Sequence, residues 1–155
     1  MTKCLLPLLC GIAIGCNENR KAVDPIDGQW RVAAFHIEGT TCPVPEGQVV
    51  TFHFENGRIH FVDRIEREED KTLRTEFQFT IDRSVQPNAL TVFILHPVSG
   101  ERIATSHGIF DLKGDRLTMV WNEGLSNHRP TEFNSLTTDD YNFVLFELYR
   151  VLPDL

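Results

Sequence analysis

The feature that most constrains this chain is a two-residue alternation of apolar and polar side chains, clearest over residues 50–62. There Val50-Thr-Phe-His-Phe-Glu55 and Arg58-Ile-His-Phe-Val62 flank Asn56-Gly57. Asn-Gly suits the two positive-φ positions of a type I′ turn, whose twist matches the strands it joins. A two-residue loop sets Glu55 opposite Arg58, Phe54 opposite Ile59, His53 opposite His60 and Phe52 opposite Phe61. One face then carries Phe52, Phe54, Ile59 and Phe61, and the other carries Thr51, His53, Glu55, Arg58 and His60. A slip of one residue would exchange the faces, so the apolar set specifies the pairing.

The same period runs through most of the chain, and no long stretch has the i, i+3, i+4 spacing of an amphipathic helix. Residues 30–37 read as a first strand opened by Asp27-Gly28, and Gly39 to Gly47 as a loop holding Pro43 and Pro45. A charged connection over residues 66–71 leads to the alternating strand 73–81. The strand over 89–95 is apolar on both faces and is expected to be covered on both. Strands follow at 103–112, 116–121 after the Lys113-Gly114-Asp115 turn, and 141–151 after a long polar connection. This makes an all-β chain of eight strands in succession, joined mostly by short turns. Closing such an antiparallel up-and-down sheet removes its edges, so an eight-stranded barrel is expected, with a β-sandwich as the alternative. With 155 residues and 41% hydrophobic side chains, there is material for one folded domain.

Three of the four cysteines, Cys4, Cys10 and Cys16, fall at the start. Lys3 followed by a short apolar run has the layout of a secretory signal peptide, and the run falls short of the about 20 apolar residues that span a bilayer. Ala13-Ile-Gly-Cys16 resembles a bacterial lipobox, although Leu is commoner than Ala at the first position. The alternatives are ordinary signal cleavage nearby, or an amphiphilic start left in place. The lipobox implies a signal peptide over residues 1–15, a lipidated Cys16 with a polar tether over 16–26, and a domain over 27–155. The protein would then be a lipid-anchored, monomeric component of the cell envelope, facing the periplasm or exterior. Cys42 would be left without an intramolecular partner, so no disulfide framework is expected. Loss of Lys3 leaves 14 cations against 22 acids, taking the formal charge from −7 to −8. That balance argues against nucleic acid, whose phosphates need a basic surface.

Gly28-Gln-Trp-Arg-Val32, Glu38-Gly39 and Pro43-Val-Pro45 are followed by Ile81-Asp82, Pro87 and Leu90-Thr91. Then come Gly108-Ile-Phe-Asp-Leu-Lys-Gly-Asp-Arg-Leu117, Arg129-Pro-Thr-Glu-Phe133 and Leu148-Tyr-Arg150. In this order the segments resemble an uncharacterised lipocalin-like domain family abundant in planctomycete bacteria, found in secreted and lipid-anchored proteins. The resemblance implies a lipocalin-like barrel and carries no activity with it. Trp121, and the connection over residues 122–128, depart from the family pattern. Gly28-x-Trp30 also resembles the lipocalin opening, which implies that Arg150 of the last strand packs over Trp30. Such a cation–π contact contributes about 0.5–2 kcal/mol and would close one end of the barrel.

Other chemistry finds less support. His53 opposite His60 puts two imidazoles with Cβ atoms about 4.5–5.5 Å apart, with Glu55 near as a third metal ligand. The pair stands on the face opposite the phenylalanines, and Glu55 has Arg58 across from it. Ser106-His107 and Ser126-Asn-His128 lack the Gly-x-Ser-x-Gly elbow of a hydrolase, so no catalytic residue is assigned. Glu66, Glu68, Glu69 and Asp70 lack calcium-loop spacing and are diluted by Arg64, Arg67 and Lys71. No enzyme activity, metal or cofactor is expected.

For Arg129-Pro-Thr-Glu-Phe133 the preferred reading is structural: Pro130 fixes a turn, Phe133 caps a barrel end, and Arg129 or Glu132 ties loops down. The functional alternative sets Arg129 and Glu132 at the barrel mouth, orienting the head of a ligand. Two roles follow for the barrel: a carrier holding a small apolar ligand against walls that include Phe52 and Phe77, or a filled module whose surface meets envelope partners. Phe52, Phe54, Phe61, Phe77 and Phe79 would fill much of a small barrel, which favours the second, although the carrier remains the better-defined expectation. A cavity above about 300 Å³ would favour the first.

Overall fold

The computed structural model describes residues 24–65, 68–123 and 127–152, apart from the side chains of 68–70. The expected signal peptide, Cys16 and the tether as far as residue 23 lie outside the described residues. So do Glu66, Arg67, and the side chains of Glu68, Glu69 and Asp70.

Among the described residues nine strands form the fold: β1 (Gly28–Ile37), β2 (Thr40–Pro43), β3 (Gln48–Glu55), β4 (Arg58–Ile65), β5 (Glu68–Asp82), β6 (Asn88–Leu95), β7 (Arg102–Lys113), β8 (Arg116–Asn122) and β9 (Phe143–Arg150). Neighbours pair antiparallel, and β1 pairs with β9, so eight of the strands close into a barrel and the sandwich alternative is excluded. The hairpin of β3 and β4 has the register the sequence dictates, from Glu55 opposite Arg58 through Phe52 opposite Phe61. Asn56 and Gly57 both take positive φ at its turn.

The ninth strand corrects the reading of residues 39–47 as one loop. Glu38 and Gly39, both at positive φ, make a second two-residue turn. It returns Thr40–Pro43 onto Ala34–Ile37 of β1. The prolines hid this strand: Pro43 ends it and Pro45 follows in the bend to β3. The consequence is geometric. β1 pairs with β3 only over Gly28–Arg31, and β2 takes the same edge of β1 over Ala34–Ile37. The barrel is thus splayed by one strand at that end.

Inside, alternate residues form one core that includes Trp30, Phe54, Leu90, Phe110, Leu117 and Met119. A bulge in β1 between Val32 and Ala34 shifts the phase, so that Phe35 rather than Ala34 packs inward after Trp30 and Val32. Outside, Ile109, Val120, Phe143 and Leu145 form a second cluster with Tyr141. Segment 127–142 is fastened beside it. Asn122 Nδ2 donates to the His128 carbonyl at 2.9 Å, and the Phe143 amide donates to the Leu136 carbonyl at 2.7 Å. This connection accounts for the burial of Ile109, Val120, Phe143 and Leu145 on the outward face of β7 to β9. On the outer face of β6, segment 127–133 reaches Ala89 and Thr91, and the Arg102 guanidinium lies 3.6 Å from the Phe93 ring centre.

Candidate functional site

The two ends of the barrel differ. At the end where β1 begins, the Arg150 guanidinium lies 4.2 Å from the centre of the Trp30 ring, as the lipocalin resemblance implies. Arg150 also donates to the carbonyls of Asp27 (2.9 Å) and Pro25 (2.7 Å), and its Nε is 3.3 Å from an Asp115 oxygen. Gly28 has a structural reason here. Its φ is +127°, and a Cβ would stand 2.8 Å from an Arg150 nitrogen. Trp30 Nε1 donates to the Ile26 carbonyl at 2.8 Å, and Ile26 is fully buried. Residues 24–26, which composition groups with the tether, therefore pack as the floor of the barrel. Phe54 and Phe79 meet edge to face above this floor with ring centres 5.4 Å apart. This end is closed.

The opposite end holds a cavity of about 380 Å³. Six aromatic residues line it: Phe35, Phe52, Phe61, Phe77, Trp121 and Phe146. Their rings brace one another, with Phe77–Trp121 at 5.3 Å, Phe52–Phe146 at 5.4 Å and Phe52–Phe61 at 5.1 Å. Polar groups on the lining are Gln48, Asp63, Asn122 and Glu123. Gln48 Nε2 donates to Asp63 Oδ1 at 2.7 Å. Asn122 is fully buried, donating to the His128 carbonyl and accepting from the Asn142 amide. Glu123 is held at the end of β8 by its backbone, whose amide donates to the Asn142 carbonyl at 2.8 Å. Desolvation raises the pKa of its carboxyl above the ordinary glutamate value. Chemically, this is an apolar cavity with a few polar groups, and among the described residues no nucleophile–base pair lines it.

Phe52 and Phe77 thus stand on the cavity wall, and Arg129 and Glu132 do not. Arg129 clamps segment 127–133 to the outer wall of the barrel. Its Nη1 donates to the carbonyls of Leu90 (2.8 Å) and Gly108 (2.7 Å), and its Nη2 contacts Thr91 Oγ1 (2.9 Å) and His107 Nδ1 (3.0 Å). Burial lowers the Arg129 pKa, and burial followed by the Arg129 charge lowers that of His107. Pro130 is buried, while Glu132 is exposed. Phe133 is exposed and lines a groove with Gln86, Pro87 and Phe110, beside the connection from β5 to β6. The alternative that set Arg129 and Glu132 at the mouth is set aside, and the preferred reading, in which Arg129 ties a loop down, is what the contacts show.

His53 and His60 face each other at 6.0 Å between ring centres, on the outer face as expected. Glu55 does not join them. Glu76 does: it pairs with Arg58 and approaches His60 Nδ1 at 3.5 Å. Among the described residues no group of three or more His, Cys, Asp or Glu side chains is gathered for a metal ion. Cys42 lies on β2, half-buried.

Asp63, Trp121, Glu123 and Phe146 were not singled out from sequence. Their common signal is position: each is at or near the strand end opposite Trp30, and the closed end could be located from Gly28-x-Trp30 and Arg150. Comparison of the chain with models of known families, with curated proteins and with solved structures yields no match.

Proposed function

We propose that this protein is a non-catalytic, lipid-anchored barrel of the bacterial cell envelope that holds one small apolar ligand in its open half. The observation that carries the carrier role is the aromatic cavity of about 380 Å³. That volume lies within the range of about 300–1,000 Å³ typical of small-molecule sites, which are apolar with a few placed polar groups. The phenylalanines do not argue against it, since Phe54 and Phe79 fill the closed half while Phe52, Phe61 and Phe77 form walls. The anchor rests on the sequence around Cys16, and the lipocalin-like resemblance fits the same role.

The test uses the full chain carrying Cys16→Ser, which cannot be lipidated. A fluorescent naphthylamine probe should bind saturably with one site per chain and be displaced by small apolar molecules. Ile94→Trp, at a half-exposed position on the lining, should abolish binding while leaving thermal unfolding close to that of the parent. Probe binding that is not saturable, or that survives Ile94→Trp, rejects the carrier role and leaves the filled module. The anchor is tested separately by intact mass of membrane-fraction protein, expected to begin at an acylated Cys16. An unmodified Met1 rejects it.

A further inference from the structure

The charges on the cavity lining narrow the ligand class. Among the described residues, Asp63 on β4 and Glu123 at the end of β8 are the only charged side chains on the lining, and no Lys, Arg or His is there. Their placement follows from topology. Counting around the closed sheet in either direction, β4 and β8 are four strands apart, so they stand on opposite sides of an eight-stranded barrel. Both run from the closed end toward the open one, which brings Asp63 and Glu123 to the same mouth. Asp63 is oriented by Gln48, whose amide nitrogen donates to one carboxyl oxygen and leaves the other available. Glu123 is exposed at the mouth, and among the described residues no hydrogen bond or ion pair meets its carboxyl.

An apolar tail in such a cavity brings its head group between two carboxylates. A carboxylate or phosphate head would be repelled from both sides with no cation among the described lining residues to offset it, whereas an ammonium head gains from both. The six aromatic faces below the mouth add to this selection, because ring quadrupoles attract cations. We propose that the ligand is a cationic amphiphile: an alkyl or aryl amine whose apolar part lies on Phe52, Phe77 and Trp121 and whose ammonium group sits between Asp63 and Glu123. This rests on the carrier reading above and assigns that site its chemistry.

Three probes of equal tail separate the two ideas: octylammonium, octanol and octanoate, titrated calorimetrically into the unlipidated full chain below their aggregation thresholds. The expected affinity order is octylammonium, then octanol, then octanoate. Raising salt should weaken octylammonium alone. Glu123→Gln, and Asp63→Asn beside it, should lower octylammonium affinity about tenfold, the size expected for losing a hydrogen bond to a charged group, and leave octanol unchanged. Glu123→Gln by itself keeps the test decisive if Asp63→Asn disturbs the strand. Binding of octanol with octanoate equal to or tighter than octylammonium, or octylammonium affinity indifferent to both salt and Glu123→Gln, overturns the cationic class and leaves the carrier. Failure of all three probes overturns the carrier role itself.

Discussion

Replacing Arg129 by Met separates a clamp from a ligand contact, because the two roles predict opposite readouts. The guanidinium serves the Leu90 and Gly108 carbonyls, Thr91 Oγ1 and His107 Nδ1 at 2.7–3.0 Å. Hydrogen bonds involving a charged group contribute about 1.5–3 kcal/mol each, but four on one half-buried side chain are not additive and water recovers part of the loss. A destabilisation of about 3–5 kcal/mol results, a large share of the roughly 5–15 kcal/mol available to a domain. In urea, with a slope of about 1.5 kcal/mol/M, the midpoint should fall by about 2–3 M. Arg129→Lys should recover only a minor part, since an ammonium cannot reproduce the planar fork.

The cavity lies inside the barrel and Arg129 outside it, so apolar probe affinity of the folded variant should match the parent. An independent readout is His107. Arg129 donates to its Nδ1, so the ring is held neutral with the proton on Nε2. Its pKa, lowered first by burial and then by the Arg129 charge, should move up toward the ordinary histidine value without reaching it. A loss under about 1 kcal/mol would refute the clamp, since even one charged hydrogen bond exceeds it. So would weakened probe binding with stability intact.

Gly108→Ala should be poorly tolerated despite its small size, because the new Cβ would meet the Val120 carbonyl oxygen at 2.5 Å, a backbone atom that cannot turn aside. Overpacking of this kind costs about 1–3 kcal/mol, so thermal unfolding should fall by about 5 °C, and an unchanged midpoint would refute the contact. Glu123→Gln should stabilise the protein at neutral pH and have no effect well below the ordinary glutamate pKa of about 4.3. The sign follows from the raised pKa: the folded state binds the proton more tightly, so ionisation as pH rises through the raised value lowers stability, and Gln removes that loss. Unfolding midpoints of parent and variant from pH 4 to 7 that run parallel would refute it.

The strands and the register of β3 with β4 were legible because one buried face gives period two a single solution. The Arg150–Trp30 contact was legible only through the resemblance, since it joins opposite ends of the chain. Arg129 was not placed, because a residue in a long polar connection carries no period that tells which wall it reaches. β1 shows a finer limit. Trp30, Val32, Phe35 and Ile37 are spaced two, three and two, and that single three is the bulge at Val32–Ala34. Strict alternation would have turned Ala34 and His36 inward and Phe35 out, removing one aromatic wall from the cavity.

The cavity itself depends on height along the barrel, which a list of phenylalanines does not contain. Phe54 with Ile59, Phe52 with Phe61 and Val50 with Asp63 are successive levels from floor to mouth. At the lowest level β1 and β3 are hydrogen-bonded, and Phe54 reaches Phe79 across a narrow interior. Above Arg31 and Thr51 that pairing ends and β2 occupies the edge of β1, so the wall between β1 and β3 parts at that height. The side chains change along with the width: Val50 and Asp63 replace a pair of aromatics at the level where more volume would be needed to close the barrel. A barrel selected only for stability would place its bulk there. This one places an aliphatic residue and a carboxylate, and that combination, more than the aromatic count, is what makes an open half with a negative rim.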